Sequence, residues 1–298
     1  MRVGLGAYNA RMEDLVTILQ SGTVLVMDGA MGTELLRLTR SSSLGCGEAY
    51  NLGQGDLVRS IHRAYLDAGA DVILTNTFQA NPAALTPRDL VEHHHEIWQA
   101  AIGLAHLNHP RPRYILADIG PIENLTLKIA EDTLAECVDV DGVLLETWSS
   151  LDALKRFVDR RNSASLPLLV SFAFHRTKDL LTIKGIPPEH CAREARRYGA
   201  AAIGANCGKE IGMDDMLEIV KRYRDVCELP IFVRPNAGSP TKKGWRYPRT
   251  PKTMAAAVPA LLEAGIAMVG GCCGTTPDHI RQIRAVVDEW NRGKGLPG

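Results

Sequence analysis

One pattern recurs eight times along the chain: a short apolar run is followed by glycine or polar residues and then by a helical stretch. The eight apolar runs are 24–27, 72–74, 114–117, 143–145, 168–172, 200–203, 231–233 and 267–269. Strands that alternate with helices indicate a parallel sheet, and continuously apolar strands indicate burial on both faces. Eight such units within 298 residues predict a single-domain α/β fold, the (β/α)8 or TIM barrel.

The stretches between the runs have the apolar spacing of helices. In 56–68, apolar side chains recur at Leu57, Ile61 and Tyr65, on one helix face. Further helices are predicted at 132–138, 151–158, 189–198, 214–226, 251–263 and 277–290. The main alternative is an open, doubly wound sheet, but no Gly-x-Gly-x-x-Gly motif follows the first apolar run.

Composition limits the organisation and the partners of the chain. No internal linker or charge run divides it, so residues 1–298 are expected to form one domain, with 291–298 as a flexible tail. The chain has 34 Lys plus Arg and 34 Asp plus Glu, and this balance gives no indication of nucleic acid or an anionic membrane as a partner. No apolar run is long enough to cross a bilayer, and the N-terminus lacks the apolar segment of a secretory signal. Seven cysteines in such a chain favour free thiols in a reducing cytoplasm over disulfides.

Three cysteines stand among glycines at the ends of predicted strands. Cys207 follows the sixth run, within Gly204–Gly208, and Cys272 and Cys273 follow the eighth, within Gly270–Gly274. Because the carboxyl ends of barrel strands carry the active site, these thiols are expected to meet at the mouth. Three thiolates suit a soft metal such as zinc, and three protein ligands leave the open position typical of catalytic sites. The alternative, that they are small core residues, does not explain the five flanking glycines.

Other polar residues end predicted strands at the same mouth. Asp28 ends the first strand, which neighbours the eighth in a closed barrel, and Asn236 ends the seventh. Glu146 ends the fourth strand and is expected to face them across the mouth. Each has a structural alternative: Asp28 as a helix N-cap, Glu146 as one half of an ion pair, and Asn76 as a residue that satisfies loop backbone.

Five motifs occur in order along the chain: Asp28-Gly29-Ala30-Met31-Gly32-Thr33-Glu34, Gly69-Ala70-Asp71, Thr75-Asn76-Thr77-Phe78, Gly204-Ala205-Asn206-Cys207 and Gly270-Gly271-Cys272-Cys273-Gly274-Thr275. Together they resemble the homocysteine S-methyltransferase family. Within the family, segments 48–52 and 234–238 are most similar to the homocysteine module of cobalamin-dependent methionine synthases. The resemblance implies transfer of a methyl group to the sulfur of L-homocysteine, which forms methionine.

The resemblance also implies a metal centre. It implies Zn²⁺ held by Cys207, Cys272 and Cys273, with the homocysteine sulfur as the fourth ligand. It further implies that Asn236 occupies or supports that fourth position when substrate is absent.

For the rest of the substrate, the resemblance implies that Asp28 and Glu146 receive the ammonium group. The backbone N–H groups of Gly29 and Ala30, close to the following helix, would suit the substrate carboxylate. The donor is expected to enter over Asn76, Phe78 and the loop Gly238–Arg249, which is either a lid or a partner surface.

The sequence leaves the methyl donor open between a small onium compound, such as S-methylmethionine or S-adenosylmethionine, and a methylcorrinoid on a separate protein. Arg234 departs from the family pattern, since many relatives have an aromatic or apolar residue there. Two other functions remain as alternatives. One is a non-catalytic zinc- or thiol-binding barrel, and the other is an acceptor module that is active only with separate corrinoid or folate chains.

Overall fold

Eight parallel strands form the centre of the computed structural model, which describes residues 13–107, 114–160, 166–241 and 244–296. They are β1 (Leu25–Val26), β2 (Val72–Leu74), β3 (Tyr114–Ile119), β4 (Gly142–Trp148), β5 (Leu168–Phe172), β6 (Ala202–Asn206), β7 (Ile231–Arg234) and β10 (Ile266–Val269). Between β7 and β10, the strands β8 (Ser239–Thr241) and β9 (Gly244–Arg246) form a separate antiparallel hairpin.

The sheet closes on itself. The strand order is β1-β10-β7-β6-β5-β4-β3-β2, and a parallel bridge between Met27 and Val72 joins its two ends. Two backbone hydrogen bonds complete this seam, from the Asp28 N–H to the Val72 carbonyl at 2.9 Å and from the Asp71 N–H to the Val26 carbonyl at 2.7 Å. The predicted (β/α)8 barrel is confirmed, and the first strand does neighbour the eighth.

Helices surround the barrel. In the described residues they are α1 (Leu15–Gln20), α2 (Gly32–Thr39), α3 (Tyr50–Gly53), α4 (Gly55–Asp67), α5 (Pro82–Leu85), α6 (His94–Ala105), α7 (Leu127–Ala135), α8 (Leu151–Val158), α9 (Pro188–Arg197), α10 (Met213–Arg224), α11 (Pro251–Ala255), α12 (Val258–Glu263) and α13 (Pro277–Gly293), with short 3₁₀ turns at Thr86–Arg88 and Val91–His93. The predicted helix 251–263 is interrupted between α11 and α12. Pro259 explains the interruption, since it has no N–H to donate to the Ala255 carbonyl.

The strands place a polar layer directly above an apolar barrel interior. Leu116, Leu144 and Phe232 belong to the interior cluster of buried residues. Side chains alternate between the two faces of a strand, so the residues two positions further on also point inward. Those residues are Asp118 on β3, Glu146 on β4 and Arg234 on β7, all of them buried.

The last helix extends past the predicted start of the flexible tail at residue 291. Helix α13 continues to Gly293, and Asn291 is buried within it. The Asn291 Oδ1 accepts the Val24 N–H at 3.1 Å, and its Nδ2 donates to the Val24 carbonyl at 3.0 Å. Residues 291–293 are therefore part of the helix, and residues 297–298 lie outside the described part of the chain. No helix in the described segments has the length and apolar character needed to cross a membrane.

Candidate active site

The three glycine-flanked cysteines meet at the mouth of the barrel. The sulfur atoms of Cys207, Cys272 and Cys273 all lie within 4.8 Å of one another, and those of Cys272 and Cys273 are 4.0 Å apart. Around a tetrahedral Zn²⁺ with Zn–S bonds of about 2.3 Å, two sulfurs are separated by about 3.8 Å. The donor atoms and their spacing therefore fit Zn²⁺, while the assignment of these residues as ligands stays a prediction.

Backbone hydrogen bonds between three loops position these cysteines. The Cys207 N–H donates to the Arg234 carbonyl at 3.2 Å, and the Cys272 N–H donates to the Pro235 carbonyl at 3.0 Å. The Ala237 N–H donates to the Cys273 carbonyl at 2.9 Å. The loops that follow β6, β7 and β10 are thus joined, and the thiols come from adjacent strands of the sheet.

Glycine is required where these loops pack most closely. Gly208 has a φ of +93°, and a Cβ at this position would lie 2.3 Å from the Phe174 carbonyl oxygen. A Cβ at Gly271 would lie 2.4 Å from the Thr275 Oγ1. Cys207 itself adopts a φ of +52°, which is uncommon for a residue with a side chain. The strand-end glycines therefore permit the close approach that brings the sulfurs together.

The ionisation of each of the three thiols depends on the other two. Hydrogen bonds from Cys272 and Cys273 lower the pKa of Cys207 to about 3. The same interactions raise the pKa of Cys272 to about 12 and raise the pKa of Cys273 as well. The cluster thus holds one thiolate readily, and a cation at its centre would favour ionisation of the others.

Asn236 lies beside the cluster, as the sequence analysis expected. Its Nδ2 is 3.4 Å from the Cys207 sulfur and 3.5 Å from the Gly208 carbonyl. Its Oδ1 is buried and accepts no hydrogen bond from the described residues. A buried amide oxygen without a partner requires an explanation, and a ligand or metal at the cysteines would supply one.

Arg234 joins the two carboxylates that were predicted to bind an ammonium group. The Arg234 Nη1 donates to Glu146, and Nη2 donates to the Asp28 Oδ1 at 2.9 Å and to the Gly29 carbonyl at 3.2 Å. The Arg234 Nε is buried and has no partner among the described residues. The Asp28 Oδ2 accepts the Leu74 N–H at 2.9 Å. The N-cap of α2 is Met31, so Asp28 does not have this structural role. Glu146 does form an ion pair, with Arg234, as its structural alternative predicted.

Burial dominates the ionisation of this layer. It raises the pKa of Asp28 to about 7, although Arg234 and the Leu74 N–H oppose the increase. It raises the pKa of Glu146 to about 7 against the same guanidinium. Burial alone would lower the pKa of Arg234, but Glu146 and Asp28 outweigh it and raise this pKa. Arg234 is therefore a permanent cation between two carboxylates that titrate near neutral pH.

Asp118 is a candidate site residue in addition to those predicted from the sequence. It is 6% exposed, and its backbone is fixed by Thr75, which accepts its N–H at 3.1 Å, and Thr77, which donates to its carbonyl at 2.8 Å. Its carboxylate accepts no hydrogen bond from the described residues. Burial, and then the charge of Glu146, raise the pKa of Asp118 well above its ordinary value. The sequence carried the same signal as for Glu146, since Asp118 ends the third apolar run.

One of the two backbone N–H groups predicted to bind the substrate carboxylate already donates a hydrogen bond within the protein. The Ala30 N–H donates to the Thr275 Oγ1 at 3.2 Å. The Gly29 N–H makes no hydrogen bond to the described residues, and a Cβ at Gly29 would lie 2.6 Å from the Tyr65 ring. Of the two predicted N–H groups, that of Gly29 has no partner in the described part of the chain.

Asn76 fixes the first loop of the mouth. Its Nδ2 donates to the Gly47 carbonyl and to the Asn51 Oδ1, both at 2.9 Å. In return, the Asn51 Nδ2 donates to the Asn76 carbonyl at 2.9 Å. These bonds correspond to the structural alternative for Asn76, the satisfaction of loop backbone.

The loop Gly238–Arg249 folds as the β8–β9 hairpin and then returns to the cysteines. A Cβ at Gly274 would lie 2.0 Å from the Tyr247 Cδ1, so the Tyr247 ring packs against this glycine. Burial, and then the charge of Cys273, raise the pKa of Tyr247. Within this loop, Lys242, Lys243 and the side chain of Trp245 lie outside the described part of the chain.

Comparisons with known proteins add to this geometry. The sequence model of a family described as "Homocysteine S-methyltransferase" matches residues 25–287. The chain is 33% identical to a methionine synthase of Mycobacterium leprae over 98% of this chain and 26% of that protein. It is also 33% identical to a methionine synthase of Mycobacterium tuberculosis over 92% of this chain and 25% of that protein, so it spans about a quarter of the length of these relatives.

Solved structures show a similar fold. The metallated form of the homocysteine methyltransferase MmuM from Escherichia coli has a TM-score of 0.74 and 21% sequence identity to the chain. The similarity covers 90% of this chain and 98% of that one. The apo form of the same enzyme has a TM-score of 0.67 over 90% of this chain and 97% of that one, at 20% identity. At these identities the likeness concerns the barrel alone.

Proposed function

The chain belongs to the homocysteine S-methyltransferase family of enzymes, and we propose on this premise that it transfers a methyl group to the sulfur of L-homocysteine to form methionine. One observation carries the proposal: three cysteine sulfurs lie within 4.8 Å of one another at the mouth of a (β/α)8 barrel. The family match over residues 25–287 supports the same acceptor.

The proposed metal is Zn²⁺, held by Cys207, Cys272 and Cys273. When bound, zinc supplies a Lewis acid that favours the thiolate form of a thiol whose ordinary pKa is about 8.5. Three cysteine ligands and the unpartnered Asn236 Oδ1 beside them support an open, catalytic type of site. The solved relative from Escherichia coli is a metallated protein, and this supports a metal here as well.

The remaining mouth residues are proposed to hold the amino-acid end of the acceptor. Asp28 and Glu146 supply negative charge for its ammonium group, and Arg234 holds both carboxylates in place. Gly29 and Ala30 are proposed to line the carboxylate end, where the Gly29 N–H would donate to the acceptor. Asn76 supports this arrangement by fixing the first loop.

Two classes of donor are each favoured by one observation. The Tyr247 ring packs beside the cysteines, and this compact mouth favours a small onium donor such as S-methylmethionine or S-adenosylmethionine. The chain is 33% identical to methionine synthases, and this similarity favours a methylcorrinoid donor, which we propose is carried by a separate protein. In the second case the chain is an acceptor module that requires partner chains.

A donor screen tests the proposal. Zinc-loaded protein and homocysteine are combined with S-methylmethionine, S-adenosylmethionine or methylcobalamin, and methionine is measured by mass spectrometry. Methionine formation with wild-type protein, and none with Cys273→Ala, supports the methyltransferase. If wild-type protein neither binds homocysteine nor forms methionine with any donor, the proposal fails in favour of a non-catalytic zinc- or thiol-binding barrel. If homocysteine binds and methylation requires a corrinoid carrier, the acceptor-module alternative holds.

A further inference from the structure

The three carboxylates of the polar layer differ in how well they are paired. Both oxygens of Asp28 have partners, since Oδ1 accepts Arg234 and Oδ2 accepts the Leu74 N–H. Glu146 accepts Arg234 through Oε1, while its Oε2 accepts nothing from the described residues. Neither oxygen of Asp118 accepts a hydrogen bond from the described part of the chain. The unpaired acceptors therefore belong to Asp118 and Glu146 and not to Asp28.

Asp118 and Glu146 are diagonal neighbours on adjacent strands. In the parallel pairing of β3 and β4, Asp118 is opposite Leu144, two residues before Glu146. Both side chains point inward above the apolar interior, and each residue is 6% exposed. An ionised carboxylate in such a place is costly unless it is paired. The structure thus contains a buried carboxylate, that of Asp118, which makes no hydrogen bond or ion pair with the described residues.

The charge balance of the layer selects a cation. When all three carboxylates are ionised, which a bound cation would favour, the layer itself has a net charge of −2 (Asp28, Asp118 and Glu146 at −1 each, Arg234 at +1). An anion at the unpartnered Arg234 Nε would make this balance worse. An ammonium group improves it and offers three N–H donors to the unpaired oxygens. The described carboxylates do not form a group with the spacing of a metal site, whereas the three cysteines do.

We propose that the ammonium group of the acceptor amino acid binds to Asp118 and the free oxygen of Glu146, and that Asp28 contributes only indirectly, through Arg234. This assignment rests on the proposed function, because it presumes an amino-acid thiol as the acceptor. Asp118 is thereby a specificity-determining residue that selects thiols with an α-ammonium group. The raised pKa of Asp118 supports the idea, since an adjacent cation would counter the burial and the repulsion from Glu146 that cause it.

A ligand comparison tests the assignment. Homocysteine and 4-mercaptobutanoate differ only by the amino group, and calorimetry gives their dissociation constants for zinc-loaded wild type, Asp118→Asn and the exposed control Asp214→Asn. In Asp118→Asn the affinity for homocysteine is expected to fall about ten- to a hundredfold, the effect of one charge-assisted hydrogen bond. The constant for 4-mercaptobutanoate is expected to stay within about threefold, and Asp214→Asn is expected to match wild type.

The outcomes separate this inference from the proposed function. If Asp118→Asn weakens both ligands equally, or neither, the inference is overturned while homocysteine methylation stands. If wild type binds both ligands equally, no ammonium group is recognised and the inference is overturned in the same way. If wild type binds neither thiol and forms no methionine, both proposals are overturned. Should Asp118→Asn fail to retain zinc or to fold, Asp118→Ser provides the same comparison with a smaller neutral side chain.

Discussion

At the residue scale, Arg234 and Glu146 illustrate how one ion pair serves both the fold and the acceptor site. A buried guanidinium is tolerated only when its charge is matched, and Arg234 has carboxylates on both sides. Glu146 balances Arg234 through one oxygen, and its other oxygen accepts no hydrogen bond from the described residues. The same pairing keeps part of the Glu146 charge despite burial, which alone would push its pKa higher still.

Glu146→Gln is expected to weaken homocysteine binding about ten- to a hundredfold through loss of a charge-assisted hydrogen bond, with zinc content unchanged.

The affinity of the wild-type protein for homocysteine should also depend on pH. Because the pKa of Glu146 is raised to about 7, its carboxylate is protonated as pH falls through that value, and binding of the ammonium group weakens. Calorimetry across this pH range gives the affinities for homocysteine and for 4-mercaptobutanoate. In the ratio of the two affinities, the contribution of thiol ionisation, which both ligands share, cancels. An unchanged homocysteine constant in Glu146→Gln would make Glu146 a partner of Arg234 alone.

Cys273→Ala is expected to abolish tight zinc binding, because two remaining thiolates cannot complete a three-cysteine site. Metal analysis after dialysis measures this directly, with about one zinc per chain expected for wild type. Cys46→Ala is the matched control, since the Cys46 thiol bonds to Glu48 and is not part of the sulfur cluster. Full zinc occupancy and activity in Cys273→Ala would refute the assignment.

Sequence alone was sufficient to place the three cysteines and two of the three buried strand-end carboxylates at the mouth, because apolar runs show where barrel strands end. It was not sufficient to pair them. Whether Arg234 contacts Asp28, Glu146 or both depends on strand register and on which side chains reach across the mouth. Asp118 has the same strand-end position as Glu146, but its lack of a hydrogen-bond partner is visible only in the structure.

At the scale of elements, helix α13 closes the barrel seam. Its Asn291 bonds to both backbone groups of Val24, immediately before β1. Its Arg284 pairs with Asp71, whose Oδ2 also accepts the Val26 N–H at 2.8 Å. The strand β1 is only two residues long, so side chains from α13 replace part of the hydrogen bonding that a longer strand would have.

Asn291→Ala is therefore expected to lower the free energy of unfolding by about 2 to 4 kcal/mol, because it leaves a buried N–H and a buried carbonyl without partners. Urea denaturation measures the change. The exposed Glu289→Ala in the same helix should stay within about 0.5 kcal/mol of wild type and controls for helix propensity. Equal, small effects of both substitutions would mean that Val24 does not depend on Asn291.

Element boundaries were harder to predict than the elements themselves. The eight strands were found because each is a buried apolar run, and helix α8 (Leu151–Val158) has the predicted bounds. Helix α7 begins earlier than predicted, since Thr126 caps it by accepting the Ile129 N–H at 3.2 Å. The tail boundary was placed too early because the tertiary bonds of Asn291 are not visible in a local pattern.

At the scale of the whole molecule, the proposed reaction requires a methyl donor to reach the mouth, and we expect it to enter over the β8–β9 hairpin. The hairpin leaves the barrel after β7 and returns to Tyr247, which packs beside the cysteines. A small onium donor would use this ring as part of a compact pocket. A corrinoid on another protein would instead need the ring displaced, because the macrocycle has to reach the same sulfur. The two donors therefore make opposite demands on one side chain.

The substitution Tyr247→Ala distinguishes the two classes of donor. With a small onium donor, loss of a cation–π contact worth about 0.5 to 2 kcal/mol should lower kcat/KM for the donor about two- to thirtyfold, with homocysteine affinity and zinc content unchanged. The matched control is Tyr198→Ala, at the end of α9 and close to the amino ends of the strands, which should leave donor kinetics unchanged. With methylcobalamin, removal of the ring should increase the rate of methyl transfer, since it widens the mouth. A lower kcat/KM with the onium donor and no faster transfer from methylcobalamin would assign a small donor, and the reverse pattern would assign the corrinoid. Equal rates in Tyr247→Ala and wild type with both donors would exclude Tyr247 from the donor path.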